Sequence, residues 1–293
     1  MKSNIIISIL MTSYNREKYI AQAIESVLAS TFKDFELIIV DDCSKDNTVE
    51  IAKKYEELDS RVKVYVNEFN LGDYPNRNKA ATYAKGKYIK YIDADDMIYP
   101  WGLEIIINSF EKFPDASYCL DSIEQDVHTI FPMLLSPKDA YNREYFKSSI
   151  FNKAPTSATI RLEVFNRFDG FSGKQHIGDF ELWHKLSLTE NVLLLPHGIV
   201  WSREHDEQES KANRTDSYVL FKYMLVSKDF LQKVHNPLEL SLKNKAINRI
   251  NRSISRSILR SVFIERNLSK ALLKRNASSM TIFQIIYFSF FVK

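Results

Sequence analysis

The chain predicts an α/β fold, a mostly parallel sheet wrapped by helices, with a helical C-terminal tail. Three observations across its 293 residues carry that reading. Short β-branched runs alternate with helix-spaced stretches three times before residue 93. Polar, chemically competent residues follow the strand ends directly, where ligands bind in open parallel sheets. From about residue 216 onward there is no glycine and one proline, Pro237, while Ile247, Ile250, Ile254, Ile258 and Leu259 recur at helical intervals among lysines and arginines.

Residues 5–11, 35–40, 62–66 and 88–92 read as strands, mostly apolar because both faces of a parallel sheet are covered. Residues 18–30, 47–58 and 75–85 have helical spacing. Ala21, Ile24, Val27 and Leu28 share one stripe of the first, and Asp46 can cap the second, with Thr48 and Glu50 in its first turn. Strand and helix in alternation mark a parallel sheet. After residue 115 the pattern loosens: 117–120 and 157–161 read as strands, 138–149 as a helix, and 178–186 as a helix opening on Gly178 and Asp179. Residues 192–195 and 199–202 read as strands closing the fold.

Composition narrows the class. At 45% apolar and 26% charged residues the chain can bury a core and is not a disordered polymer. Cys43 and Cys119 cannot build a disulfide framework and no Cys-x-x-Cys occurs, so the expected compartment is reducing, the cytoplasm. The apolar run at 5–10 is too short for a signal peptide and lacks a small-residue cleavage site. There is no Gly-x-Gly-x-x-Gly and no P-loop pattern, which leaves dinucleotide cofactors and P-loop ATPases unsupported. His128, His176, His184 and His197 have no zinc-site spacing and are read as structural.

Two acidic turns stand at strand ends. In Asp93-Ala94-Asp95-Asp96 the like charges raise one another's proton affinity and cannot all stay ionised without a cation. Mg²⁺ or Mn²⁺ suits such hard oxygen ligands, water and substrate phosphates completing the shell. The bland alternative is a solvated turn in which Asp95 or Asp96 caps a helix starting near Pro100. Asp41 and Asp42 also admit two readings. Asp42 could bond the ring nitrogen of a nucleotide base with Tyr14 stacking on its face, or residues 41–44 could be a turn before the helix.

Taken together, Ser13-Tyr14-Asn15-Arg16, residues 25–32 and 35–48, Asn70-Leu71-Gly72, Arg77-Asn78 and Asp93-Ala94-Asp95-Asp96 resemble, in order and spacing, the nucleotide-sugar domain of family-2 glycosyltransferases. Gly178-Asp179-Phe180-Glu181-Leu182-Trp183 resembles the family's later acid-x-x-x-Trp segment and carries the likeness to about residue 205. The resemblance implies an A-type glycosyltransferase fold over 1–210, with a basic helical region at 211–293. It implies a nucleoside diphosphate sugar donor bound through Mn²⁺ or Mg²⁺ and inverting transfer to an acceptor hydroxyl. The expected donor is foremost a UDP-sugar, the expected setting surface polysaccharide or glycan biosynthesis, and the basic tail alone suggests a lipid-linked acceptor beside a plain glycan.

Carried over residue by residue, Thr12 and Tyr14 line the base pocket, Asp42 holds the base and Arg77 lies near the nucleotide. Asp95 reaches ribose or sugar, Asp96 ligates the metal, Asp93 supports it, and Asp179 is the catalytic base. Asp179 has a plainer alternative as a helix cap worth ~1 kcal/mol. His205 approaches the metal or pyrophosphate, or sits on an exposed loop. Pro155-Thr156-Ser157 borders the acceptor pocket. The chain departs from the family pattern at Cys43, where glycine or asparagine is commoner, and at Pro75-Asn76, where alanine commonly precedes the arginine. The competing readings are a nucleotidyltransferase, which lacks its glycine-rich basic loop here, and a non-catalytic module that binds sugar nucleotides or anchors other enzymes at a membrane.

The tail differs in charge. Residues 1–210 carry 24 Lys+Arg against 33 Asp+Glu, and residues 211–293 carry 16 against 4, a balance of −9 beside one of +12. Residues 280–292 are almost wholly apolar and aromatic but fall short of the about 20 residues needed to cross a bilayer. They read either as an interfacial helix, its basic neighbours suiting anionic headgroups at the inner membrane face, or as a bundle packed on the acidic part. Nucleic acid is not expected as a partner, since the aromatics cluster at the end instead of interleaving with the basic residues.

Overall fold

The computed structural model describes residues 5–205 and 216–292. The first half runs β1 (Ile7–Ser13), α1 (Ile20–Leu28), β2 (Phe35–Asp41), α2 (Thr48–Leu58), β3 (Val62–Val66), α3 (Asp73–Ala81) and β4 (Tyr88–Tyr91). There follow β5 (Met97–Ile98), α4 (Gly102–Lys112), β6 (Tyr118–Ile123), β7 (Met133–Leu135), α5 (Pro137–Phe146) and β8 (Ala158–Arg161). The α/β part closes with α6 (Leu162–Arg167), α7 (Gly178–Leu186), β9 (Val192–Pro196) and β10 (Val200–Trp201). Four helices complete the chain: α8 (Ser217–Gln232), α9 (Leu240–Phe263), α10 (Leu268–Ser278) and α11 (Ile282–Phe290).

The eight-stranded sheet has the order β3-β2-β1-β4-β8-β6-β9-β7. β3, β2, β1 and β4 are mutually parallel, β8 runs against both β4 and β6, and β7 is an antiparallel edge. Alternation along β1 feeds two cores. Ile7, Ile9 and Met11 pack with Ile24 and Val27 of α1 and Leu103 and Phe110 of α4. Leu10 faces the other way, with Val40, Tyr91 and the α7 residues Leu182, Trp183 and Leu186. The second core runs on into Val226, Phe230 and Leu231 of α8 and Ala246 of α9. A smaller cluster of Phe221, Ile254, Ile258, Ala271, Met280 and Ile285 joins the last helices to one another.

Several boundaries differ from the sequence reading for local reasons. β1 extends to Ser13 because Thr12 and Ser13 keep their register with Val40 and Asp41, and the Ser13 hydroxyl donates to Asp41 at 2.8 Å. Residues 200–201 do not join the main sheet; they pair with Met97 and Ile98 in a two-stranded ribbon. The three-residue edge strand β7 and the short helix α6 carry too little periodicity to be foreseen. Near the middle of the sheet, fully buried Lys90 is neutralised by Asp121 at 2.6 Å and donates to the Thr156 carbonyl at 2.5 Å. That pair satisfies a cation that could not be buried alone.

Candidate active site

The carboxyl ends of β1, β2 and β4 converge, and each acid there has a different set of partners. Asp41 accepts from the Ser13 hydroxyl and, at 2.7 and 2.6 Å, from the Ser44 amide and hydroxyl. Asp42 accepts from Asn67 at 2.9 Å and from the Leu71 and Gly72 amides at 2.8 Å each, and is 3% exposed. Gly72, at φ +86°, supplies the left-handed turn that aims its N–H at this carboxylate and opens α3. Asp42 therefore anchors the loop that delivers Tyr74 and Arg77. Cys43 lies at φ +67°, which is the physical reason glycine or asparagine is commoner in the family. Thr12 is the half-buried penultimate residue of β1, and Tyr14 just beyond the strand is 44% exposed.

The second departure also has a cause. Pro75 sits in the first turn of α3, where a missing N–H costs nothing. Asn76 is buried; it donates to the Val40 carbonyl at 3.1 Å and accepts from Asn67 at 2.9 Å, so it ties α3 to β2. Arg77 is thereby held under the sheet edge, bridging Asp73 and Asp93 at 2.7 Å each. Its Nη1 has no partner among the described residues.

Asp93, Asp95 and Asp96 bring one carboxylate oxygen each to within 4.8 Å of one another. Asp95 accepts from Arg16 at 2.9 Å and contacts His205 Nε2 at 3.1 Å. Asp96 accepts from the Arg203 amide at 3.0 Å and the Ser202 hydroxyl at 3.4 Å. Both are uncharged donors. Burial, then Asp93 and Asp95 nearby, push its acid up to about 7. Burial also raises Asp93, with Arg77 opposing and Asp95 and Asp73 adding. The β5–β10 ribbon explains how Ser202, Arg203 and His205 reach acids so distant in sequence. His205 is largely buried against Tyr19, ring centroids 4.8 Å apart, and its Nδ1 has no partner among the described residues.

A divalent cation fits this donor set. Three hard oxygens crowd into one small volume, and their mutual repulsion is what a bound cation relieves.

Asp179 stands in the first turn of α7, its carboxylate accepting from the Phe180 amide at 2.7 Å and from the Tyr74 hydroxyl. Burial pushes it up to about 6, against these two hydrogen bonds and the nearby Arg77. The close seat depends on Gly178, since a Cβ there would meet the Tyr74 ring at 2.8 Å. Tyr223 of α8 packs on Phe180 from the tail side, centroids 4.8 Å apart, so the C-terminal helices buttress the helix that carries Asp179.

Sequence reasoning left Arg16, Tyr74, Ser202 and Arg203 without roles. Arg16 was visible inside the Ser13-Tyr14-Asn15-Arg16 stretch and Arg203 beside His205; Tyr74 and Ser202 carried no signal. The predicted residues Asp42, Arg77, Asp93, Asp95, Asp96 and His205 are linked through these contacts. Asp179 accepts from Tyr74 and is reached by the charge of Arg77, the partner of Asp93.

Comparison with known proteins assigns the class. Residues 8–168 match the model of glycosyl transferase family 2, more than half of the chain, and the protein belongs to that family. It is 41% identical over 208 residues to the UDP-Glc:alpha-D-GlcNAc-diphosphoundecaprenol beta-1,3-glucosyltransferase WfgD of Escherichia coli, covering 70% of this chain and 79% of WfgD. Among solved structures, S. aureus TarS 1-349 in complex with UDP-GlcNAc superposes with a TM-score of 0.72 at 20% identity, over 97% of this chain and 81% of that one. The mannosyltransferase PcManGT from Pyrobaculum calidifontis, in complex with GDP-Man and Mn²⁺, superposes at 0.61 and 14% identity, over 97% and 85%. The parallel sheet, its flanking helices and the C-terminal helices are those of an A-type glycosyltransferase.

Proposed function

We propose that this glycosyltransferase moves a sugar from a UDP-sugar to an acceptor hydroxyl with inversion, with a lipid-linked glycan as acceptor in surface polysaccharide or glycan assembly. The observation that carries the reading is the cluster of Asp93, Asp95 and Asp96, whose partner Arg77 also acts electrostatically on Asp179, itself held by the Tyr74 hydroxyl. The donor assignment draws on the UDP-GlcNAc bound to TarS, and the acceptor on the diphosphoundecaprenol in the name of WfgD.

Asp96 and His205 would hold the cation, Mn²⁺ or Mg²⁺, with Asp93 and Asp95 supporting; when bound, the cation stabilises charge building on the departing diphosphate. Arg16 and His205 hold the Asp95 carboxylate in place, aimed toward ribose or sugar. Thr12 and the exposed Tyr14 ring flank the base. Asp42 has spent three of a carboxylate's about four acceptor positions on the 67–72 loop, and the fourth serves the base. Arg77 steadies the nucleotide through its unpartnered nitrogen.

Asp179 takes the acceptor proton. An acid raised to about 6 is ionised at neutral pH and more basic than an ordinary aspartate, which suits a general base. The Tyr74 hydroxyl and Phe180 amide fix its orientation. With the leaving group pinned on the opposite side, a single displacement inverts the anomeric centre.

Proton NMR of turnover with a panel of UDP-sugars, Mn²⁺ and undecaprenyl-diphosphate-linked sugars tests this. An α-linked donor is expected to give a β-linked product with release of UDP. A product of retained configuration, or no UDP release from any donor, would refute the assignment.

A further inference from the structure

We infer that the outward face of α11, with the basic residues around it, docks this chain on an anionic lipid bilayer. Ile282, Phe283, Ile286, Tyr287, Phe290 and Phe291 are all exposed, Phe283 by 86% and Phe290 by 73%. At about 100° per residue these six cover one half of the helix, with the Tyr287 hydroxyl the one polar group among them. The inward half buries Ile285 and, unusually, Ser289. Gln284 lies at the margin and folds back to accept from the Thr281 amide at 2.9 Å. A surface helix ordinarily turns its apolar stripe to the core. Here the solvent face is the more apolar one, and α10 also leaves Leu268, Leu272 and Leu273 exposed.

Charge selects the occupant. Residues 211–293 carry 16 Lys+Arg against 4 Asp+Glu, and Arg256, Arg260 and Arg266 of the same helical region are exposed. A two-fold pairing of this face with a second copy would bring together two regions of balance +12 each, which repel. An anionic lipid surface removes that repulsion and accepts the aromatic face at the headgroup level. α11 lies on the membrane and does not cross it: its nine residues span about 14 Å, against a hydrocarbon core of about 30 Å. No described helix is long and apolar enough to cross. Because α10 and α11 pack on α9, and α8 packs on both α9 and α7, the patch is coupled to the helix that carries Asp179.

The test is co-sedimentation of the full chain with vesicles of phosphatidylcholine alone or mixed with phosphatidylglycerol, over a salt series. Partitioning is expected to be at least about tenfold stronger on the anionic vesicles and to weaken as salt rises. The double variant Phe283→Ser/Phe290→Ser should lose at least about tenfold of it with an unchanged melting temperature, since both side chains are exposed. Equal partitioning of the variant, or none by the parent, overturns the inference. So does a parent dimer that the variant splits in sedimentation velocity, which would assign the face to a second copy. UDP binding with Mn²⁺ is measured on the same samples. If it persists while vesicle binding fails, only this inference falls; if it fails while vesicle binding persists, only the proposed donor chemistry falls.

Discussion

Two acidic turns follow neighbouring strands of one sheet and reach opposite electrostatic states. At the end of β2, Asp41 and Asp42 accept from amides and hydroxyls, five of them from Ser13, Ser44, Leu71 and Gly72 together. At the end of β4, Asp93, Asp95 and Asp96 crowd one another, and burial with mutual repulsion lifts Asp96 to about 7. The first turn uses carboxylates to build backbone; the second leaves them short of positive charge. The motif alone does not separate a structural acid from a ligating one, whereas its partners do.

The largest expected effect breaks the chemistry without breaking the fold. Asp179→Asn should lower transfer by about 10²- to 10⁴-fold. It should leave nucleotide binding intact. In the wild type, the rate limited by this base should rise as pH climbs through about 6, where Asp179 loses its proton. A flat profile between pH 5 and 7, or an active Asn variant, would return Asp179 to the role of helix cap.

Next in size is Asp42→Ala, which strands two backbone amides and Asn67. A loss of about 2–4 kcal/mol in urea unfolding is expected. Asp96→Asn should do the reverse. The folded-state acids of Asp96 and Asp179 titrate above the ordinary 3.8, so without a cation the folded chain holds more protons than the unfolded one between about pH 4 and 7. Stability therefore falls as pH rises through that window, and nothing is lost below it. Asp96→Asn should gain on the order of 1–2 kcal/mol at pH 8 and nothing at pH 4. Equal losses for the two substitutions at pH 8 would erase the contrast between the turns. The smallest effect sharpens it: Cys43→Gly, at φ +67°, should stabilise by about 0.5–1 kcal/mol in the same assay.

The parallel half of the fold was legible because buried strands advertise themselves as β-branched runs, and because the acids follow those runs at once. The A-type architecture came from the order of motifs between residues 13 and 96 together with the acid-x-x-x-Trp segment. What stayed hidden depends on long-range pairing. Nothing in Val200-Trp201 says that it pairs with Met97-Ile98, yet that ribbon carries Arg203 and His205 to Asp95 and Asp96. Tyr74, just outside the helix read at 75–85, carries no sequence signal, and only the structure sets its ring against Gly178. The tail admits two readings from sequence, and burial along it is mixed: Ile285 lies in a small core while Phe283 and Phe290 are exposed.

The most direct test of the crowded turn is the melting temperature of wild type and Asp96→Asn at pH 8, with UDP, with Mn²⁺, and with both. A ligand that binds only the folded form at about 100 times its dissociation constant adds about 2.7 kcal/mol. Wild type should be stabilised by UDP and Mn²⁺ together well beyond the sum of either alone, and Asp96→Asn, though more stable to begin with, should lose that synergy. Undiminished synergy in Asp96→Asn, or none in the wild type, would contradict a cation held at the end of β4.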